Sequence, residues 1–540
     1  MGAMPDTVFT DARVFNGFRH LGDVGDVLVR DGRVVAVGGS LHTPGAEVVD
    51  CSGALLLPGF TDAHVHPVQG GLERLTCDLS GLPIDRAAYL AHVASYAASR
   101  PDLDWVQGGG WAMAAFPGGL PTAAELDSVV ADRPAALVNR DHHGMWVNSR
   151  ALEVAGVTRD TPDPADGRVE RDASGEPTGM LHEGAMGLVL AVLPTATADE
   201  LYTGLLEGQR HLLSLGITGW QDAIVGAYAG MQDTGPTYLR AARSGDLVAS
   251  VVGALWWERE RGLEQVAELV EKRAAYSHGR FAATSVKIMQ DGVAENGTAA
   301  LVEPYLDRCG HATTNTGLSF VDPLALRGIV GALDEAGFQV HVHGLGDRGV
   351  REALDALEGT EPLHRHQVAH LQLVHPADVP RFAELQVAAN VQALWACYDD
   401  QMVDLTIPFL GDERAARQYP FGDLHRAGAR LVAGSDWPVS TPNPLEAVHV
   451  AVHRMAYGEP GRAGSEPFLP DQALSLEVAL AAYTSGSAWV CHRDDAGMVK
   501  PGAVADLVLL DRDPFDAPDE IGAARVERVW IGGEVVAGSR

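Results

Sequence analysis

The chain has 540 residues, with 72 acidic against 40 basic side chains and a formal charge of −32. At roughly 150 residues per domain that is about three to four units, or one large barrel with attachments. Hydrophobic residues at 46% and charged residues at 21% exclude disorder, collagen and coiled coil. The negative sum argues against nucleic acid or an anionic membrane as partner, since both repel an acidic surface.

The opening Met1-Gly-Ala-Met-Pro-Asp has neither the basic start nor the apolar run of a signal peptide, and the apolar runs fall short of the roughly 18 residues a membrane span needs. Five scattered cysteines without a C-x-x-C pair predict reduced, buried thiols and a cytoplasmic protein. Short β-rich runs fill the first 58 residues, with a hairpin signal in Asp26-Val-Leu-Val-Arg, Asp31-Gly32, Arg33-Val-Val-Ala-Val. The far C-terminus reads alike, through Asp506-Leu-Val-Leu-Leu and Val529-Trp-Ile. The two ends together predict one small β-sandwich, against the alternative of two unrelated appendages. Between them, apolar stripes at Leu263/Val266/Ala267/Val270, Leu326/Ile329/Val330/Leu333 and Val350/Ala353/Leu354/Leu357 predict helices that alternate with short apolar strands. That alternation, without a G-x-G-x-x-G after a strand, predicts an α/β fold of the (β/α)₈ TIM-like barrel type rather than a dinucleotide fold.

The sharpest motif is Asp62-Ala-His64-Val-His66. With a side-chain period of two, Asp62, His64 and His66 share one strand face, as two metal ligands beside an orienting carboxylate or as hydrogen-bonded core histidines. Three further strands end in His341-Val-His343, His370 and Asp436. Chemistry in barrels gathers at the C-terminal strand ends, so the recurrence favours ligands over core residues. Lys287 lies in Thr284-Ser-Val-Lys-Ile-Met-Gln-Asp291, one of only three lysines in the chain. Burial would free its amine, which can add CO₂ as a carbamate able to bridge two cations; the bland alternative is a lysine reaching for Asp291.

His64-x-His66, Lys287, His343, His370 and Asp436, in this order, resemble the amidohydrolase superfamily. Leu57-Pro-Gly-Phe-Thr-Asp-Ala-His-Val-His, Val286-Lys-Ile-Met-Gln-Asp-Gly, His341-Val-His-Gly-Leu-Gly-Asp347 and Gly434-Ser-Asp-Trp-Pro resemble its amidohydrolase-3 (YtcJ-like) branch, which includes N-substituted formamide deformylases. The resemblance implies a barrel over residues 59–496, flanked by a composite β-sandwich from 1–58 and 497–540. Residues 67–210 become an insertion after strand one that caps the substrate pocket. It further implies two divalent metal ions, zinc foremost with iron or manganese as alternatives. His64, His66 and Asp436 would hold one, His343 and His370 the other, and carboxylated Lys287 would bridge them.

The activity implied is hydrolysis of a non-peptide C–N bond, of amide or formamide type, in a small molecule. A metal-bound hydroxide would attack, with Asp436 as general base and then acid. Lactone or ester hydrolysis on the same site, or a non-catalytic small-molecule-binding role, are the alternatives. Substrate contacts are expected from His341, Trp111, His142, His143 and Trp437, with Leu181-His182-Glu183-Gly184 a weaker lead, and Asp347 is a candidate to position a ligand. Gly346, three residues after His343, stands where a one-metal deaminase would carry glutamate. A homodimer is the open alternative to a monomer.

Overall fold

The computed structural model describes residues 6–538, apart from 42, 165, 229–230 and 459–465. Eight parallel strands pair in chain order: β1 (Phe60–Val65), β2 (Ile217–Val225), β3 (Ser250–Trp256), β4 (Phe281–Met289), β5 (Gln339–Gly344), β6 (Gln367–His370), β7 (Ala388–Val391) and β8 (Leu431–Ala433). The ladder is all but closed into a barrel. Past its last paired residue, the Asp436 N–H donates to the His64 carbonyl at 2.8 Å and the His66 N–H to the Trp437 carbonyl at 2.8 Å, so the end of β8 meets the end of β1.

The stripe Leu326, Ile329, Val330 and Leu333 lies buried on the helix Pro323–Glu335, whose first turn is capped by the Asp322 carboxylate. Val350, Ala353, Leu354 and Leu357 are buried on Asp347–Leu357. Both stripes face Val340 and Val342 of β5 in one shared core, where each buried aliphatic side chain stabilises the fold by about 1.5–3 kcal/mol. The expected stripe on Gln265–Ala275 is only partly met. Leu263 precedes that helix and is 53% exposed, and the helix buries Leu269 and Gln265 instead. Amides fill the barrel interior in place of aliphatic layers. Gln221 Nε2 donates to Gln339 Oε1 (2.8 Å), Gln367 Nε2 to Gln221 Oε1 (2.6 Å) and Asn390 Nδ2 to Gln367 Oε1 (2.7 Å).

Between β1 and β2 stands a six-stranded sheet in the order Gly167–Arg171, Pro177–Glu183, Gly144–Val147, Ala135–Asn139, Val106–Trp111, Cys77–Asp78. Helices Pro67–Leu75 and Ala198–Ser214 join this insert to the barrel and cross at glycine: a Cβ on Gly71 would stand 1.8 Å from the Gly204 carbonyl oxygen. The two chain ends form one eight-stranded sheet in which Leu507–Leu510 runs antiparallel to Leu55–Pro58, so they are not separate appendages. The predicted hairpin turns at Asp31-Gly32, pairing Arg30 with Arg33. Cys51, Cys77, Cys397 and Cys491 are buried thiols as expected, whereas Cys309 is exposed on a loop. No helix among the described residues is long and apolar enough to cross a membrane.

Candidate metal centre

At the C-terminal mouth of the barrel, β1, β4, β5, β6 and the turn after β8 bring His64, His66, Lys287, His343, His370 and Asp436 onto the wall of one cavity of about 140 Å³. That is close to the ~150 Å³ of an engineered cavity that accepts benzene. Asp436 Oδ1 lies 3.0 Å from His66 Nε2 and 3.3 Å from His64 Nε2, and Oδ2 is 3.9 Å from His370 Nδ1. Lys287 Nζ is 3.4 Å from His64 Nε2, and the His343 and His370 rings are 4.4 Å apart between centroids. One ligand atom each from His64, His370 and Asp436 fall within 4.8 Å of one another. His370 and Asp436 hold left-handed backbone at φ 79° and 56°, strain of the kind that persists where a site requires it.

The donor set accepts a divalent cation. Both ring nitrogens of His370 are buried with no hydrogen-bond partner among the described residues, a costly state unless a ligand takes one of them. Burial, above all, drives His64, His341, His343 and His370 toward the neutral imidazole that ligation needs. Burial also lowers the Lys287 amine to about 7, with the Asp436 carboxylate opposing it. Asp436 itself stays ionised down to about 2: burial, the largest single effect, opposes this, but the His66 hydrogen bond together with the charges of His370, His66 and Lys287 outweighs it.

A second layer orients these groups. Asp291 Oδ1 takes His343 Nδ1 at 3.1 Å, and the carboxylate is fixed in turn by the N–H of Leu345 on Oδ1 and those of Ala300 and Gly346 on Oδ2. Asp291 is therefore the partner of His343 and not of Lys287. The His370 N–H donates to Gln392 Oε1 (2.8 Å), and His370 stacks on Trp395. Asp62 orients backbone rather than rings: its Oδ1 accepts from the N–H groups of His64 and Ser435, tying β1 to β8.

His142 and His143 line the cavity, but three expected substrate contacts do not. His341 is wholly buried beneath His64, its Nε2 2.9 Å from His64 Nδ1, so it sets the tilt and tautomer of that ring. Trp111 is buried inside the insert, donating to the Leu137 carbonyl within an aromatic cluster with Phe116 and Trp146. Trp437 packs on Gly70, where a Cβ would lie 2.7 Å from its ring, and so seats the helix Pro67–Leu75. Asp347 accepts from the Val302 N–H, and His182 is turned to Glu170. A Cβ on Gly346 would stand 2.0 Å from the Ala300 carbonyl oxygen, so a deaminase glutamate has no room there. Sequence reasoning passed over Gln69, Asp141, Asp222 and Tyr228, which also line the cavity. Asp222 alone carried a signal, as the polar residue toward the C-terminal end of β2. Its carboxyl is raised to about 6 by burial and accepts from Tyr238 Oη at 2.7 Å.

A near-closed parallel barrel with imidazoles, a lysine and a carboxylate converging at its C-terminal mouth defines a metal-dependent hydrolase. The amidohydrolase family profile matches residues 47–537, and the chain belongs to that family, hydrolases of carbon–nitrogen bonds other than peptide bonds. It is 29% identical to Protein LONG AFTER FAR-RED 3 of Arabidopsis thaliana over 99% of this chain and 92% of that one. Identity is 28% to the putative amidohydrolase YtcJ of Bacillus subtilis (94% and 95% covered) and 27% to the N-substituted formamide deformylase of Arthrobacter pascens (94% of each). Among solved structures, an uncharacterized metal-dependent hydrolase from Pyrococcus furiosus superposes with a TM-score of 0.70 at 25% identity, over 94% of this chain and 99% of that one.

Proposed function

We propose that the protein hydrolyses an amide- or formamide-type C–N bond of a small molecule at this cavity. The observation that carries the reading is the convergence of six donors at five strand ends, with both ring nitrogens of His370 lacking a hydrogen-bond partner among the described residues, beside walls of Val68, Met186, Leu190 and Met289. The Arthrobacter relative, by its name a formamide deformylase, supports that bond type. His64, His66 and Asp436 would hold one divalent cation, His343 and His370 a second, zinc foremost for nitrogen and oxygen donors without thiolates. Lys287, largely deprotonated above about 7, would add CO₂ and bridge them as a carbamate. When bound, such cations lower the pKa of water and polarise a carbonyl.

The chain's own groups perform the proton transfers. Asp436 is ionised at neutral pH and accepts a proton from the attacking water, then delivers it to the leaving nitrogen. On the same reading, residues 1–58 and 497–540 form the family's β-sandwich, 59–496 the catalytic barrel, and 67–210 the cap that shapes the pocket. The test is Asp436→Asn, with metal content measured on the same sample and a panel of N-substituted formamides, simple amides, cyclic imides and lactones. Turnover of an amide should fall by about 10²–10⁴-fold with metal retained, and near-normal turnover would exclude the assignment.

A further inference from the structure

The insert contributes its own polar group to the cavity. His143, in the turn between strands Ala135–Asn139 and Gly144–Val147, lies with Nδ1 2.9 Å from Glu183 Oε2. Glu183 ends the strand Pro177–Glu183, and its second oxygen accepts from Asn296 Nδ2 (3.1 Å) and Thr298 Oγ1 (3.2 Å), both on the loop after β4. The His143 N–H donates to Asp141 Oδ1 at 2.9 Å, and its carbonyl accepts from the Glu183 N–H at 3.0 Å. Backbone and one ring nitrogen are thus fixed by two different elements, which leaves the ring a single orientation. Nε2, the remaining nitrogen of a ring that lines the cavity, has no hydrogen-bond partner among the described residues.

A carboxylate with three donors is an acceptor only, so Nδ1 carries a proton, and Nε2 donates only when the ring is a cation. Burial opposes that cation, but Glu183 outweighs it, with smaller help from Asp141 and Glu295, and the ring stays protonated up to about 9. The neighbouring His142 is driven neutral by burial and does not compete for the charge. The His143–Glu183 pair has no net charge. The cavity wall also carries the carboxyls of Asp141 and Asp222, and its only lysine or arginine among the described residues is Lys287. Away from the candidate metal ligands, a substrate carboxylate would meet these acids with no lysine or arginine among the described residues to offset them. A substrate bearing an ammonium would lose its hydration against Met186, Leu190, Trp256 and Met289.

We propose that His143 binds the substrate, donating from Nε2–H to the oxygen of the scissile carbonyl, and that the substrate is an uncharged amide with an apolar substituent. The assignment rests on the amide reading above and adds to it a donor from the insert that strengthens its hydrogen bond as the oxygen becomes an oxyanion.

The test uses the full-length, metal-loaded protein and the variants His143→Phe, His143→Gln and Glu183→Gln, each checked for metal content and thermal unfolding. On a neutral amide that the wild type hydrolyses, His143→Phe should lower kcat/KM by about 10²–10³-fold with metal unchanged. His143→Gln, which keeps an N–H donor without its titration, should recover part of that loss and flatten the alkaline limb of the pH profile. Glu183→Gln should move that limb down from near 9 by about one pH unit or more. A His143→Phe enzyme within about twofold of wild type, or an alkaline limb unmoved by Glu183→Gln, would overturn the proposal. Should the wild type hydrolyse no amide, the functional reading itself fails, and His143 is then judged by calorimetric binding of N-benzylacetamide to wild type and His143→Phe. Binding at least tenfold weaker in the variant supports the role; equal affinity, or no binding to the wild type, ends it.

Discussion

Lys287 is the residue whose burial the chain has least reason to tolerate. In an unfolded chain a lysine keeps its proton up to about 10.4, whereas in the fold it does so only to about 7. Between those values the unfolded state binds more protons, so this group adds stability as pH rises through the window and weighs against the fold below it. In metal-stripped protein, Lys287→Met should therefore be more stable than wild type at pH 6 by a few kcal/mol, at roughly 1.4 kcal/mol for each pH unit separating the two values, with the gap closing toward pH 10. Urea unfolding of both proteins at the two pH values measures this, and a gap independent of pH would show that folding leaves the proton affinity of Lys287 unchanged. Lys287 was legible in the sequence because one lysine among Val, Ile and Met is conspicuous in a chain with only three lysines. His341 was not. It alternates with His343 on one strand face, yet barrel depth decides that one ring reaches the cavity while the other lies beneath His64.

Among elements, two glycines give the same substitution opposite signs. Gly71 and Gly331 both lie within helices, where alanine is intrinsically better by about 1 kcal/mol. A Cβ at Gly331 meets nothing within 4 Å, so Gly331→Ala should stabilise by up to that amount. A Cβ at Gly71 meets the Gly204 carbonyl oxygen at 1.8 Å, and backbone cannot turn aside as a side chain can. Gly71→Ala should destabilise by about 1–3 kcal/mol and, because its helix starts directly after His66, weaken metal retention too. Thermal unfolding and metal content on the two variants check both statements, and equal melting temperatures would discredit the close crossing. This crossing has no sequence signature, since Gly70-Gly71 reads as an ordinary turn signal. The helices over 323–335 and 347–357 were legible because one face of each is wholly buried. The helix over 265–275 was misread because it buries little beyond Leu269, and polar Gln265 takes a place the stripe assigned to apolar residues. The six-stranded insert sheet went unread as well: its strands are short, and Trp111 and Trp146 resemble pocket walls until packing shows them facing each other.

Across the whole molecule, the ligands come from strands that span most of the chain, from His64 in β1 to Asp436 after β8. Only the closed barrel brings them together, so a cation binds the folded state and has no comparable site in the unfolded one. Binding must then raise stability by RT ln(1 + [M]/Kd), about 2.7 kcal/mol at a free metal concentration 100 times Kd. Both ring nitrogens of His370 and Oδ2 of Asp62 have no hydrogen-bond partner among the described residues, and past the ladder the seam between β8 and β1 is held by the amides of His66 and Asp436. The melting temperature should accordingly climb with the logarithm of free zinc, and hydrogen exchange at the His66 and Asp436 amides, which bridge that seam, should slow in step. His370→Ala should flatten both dependences, because it removes the ligand from the site. A melting temperature indifferent to zinc and to chelation in the wild type would contradict the metal centre itself, independently of any substrate.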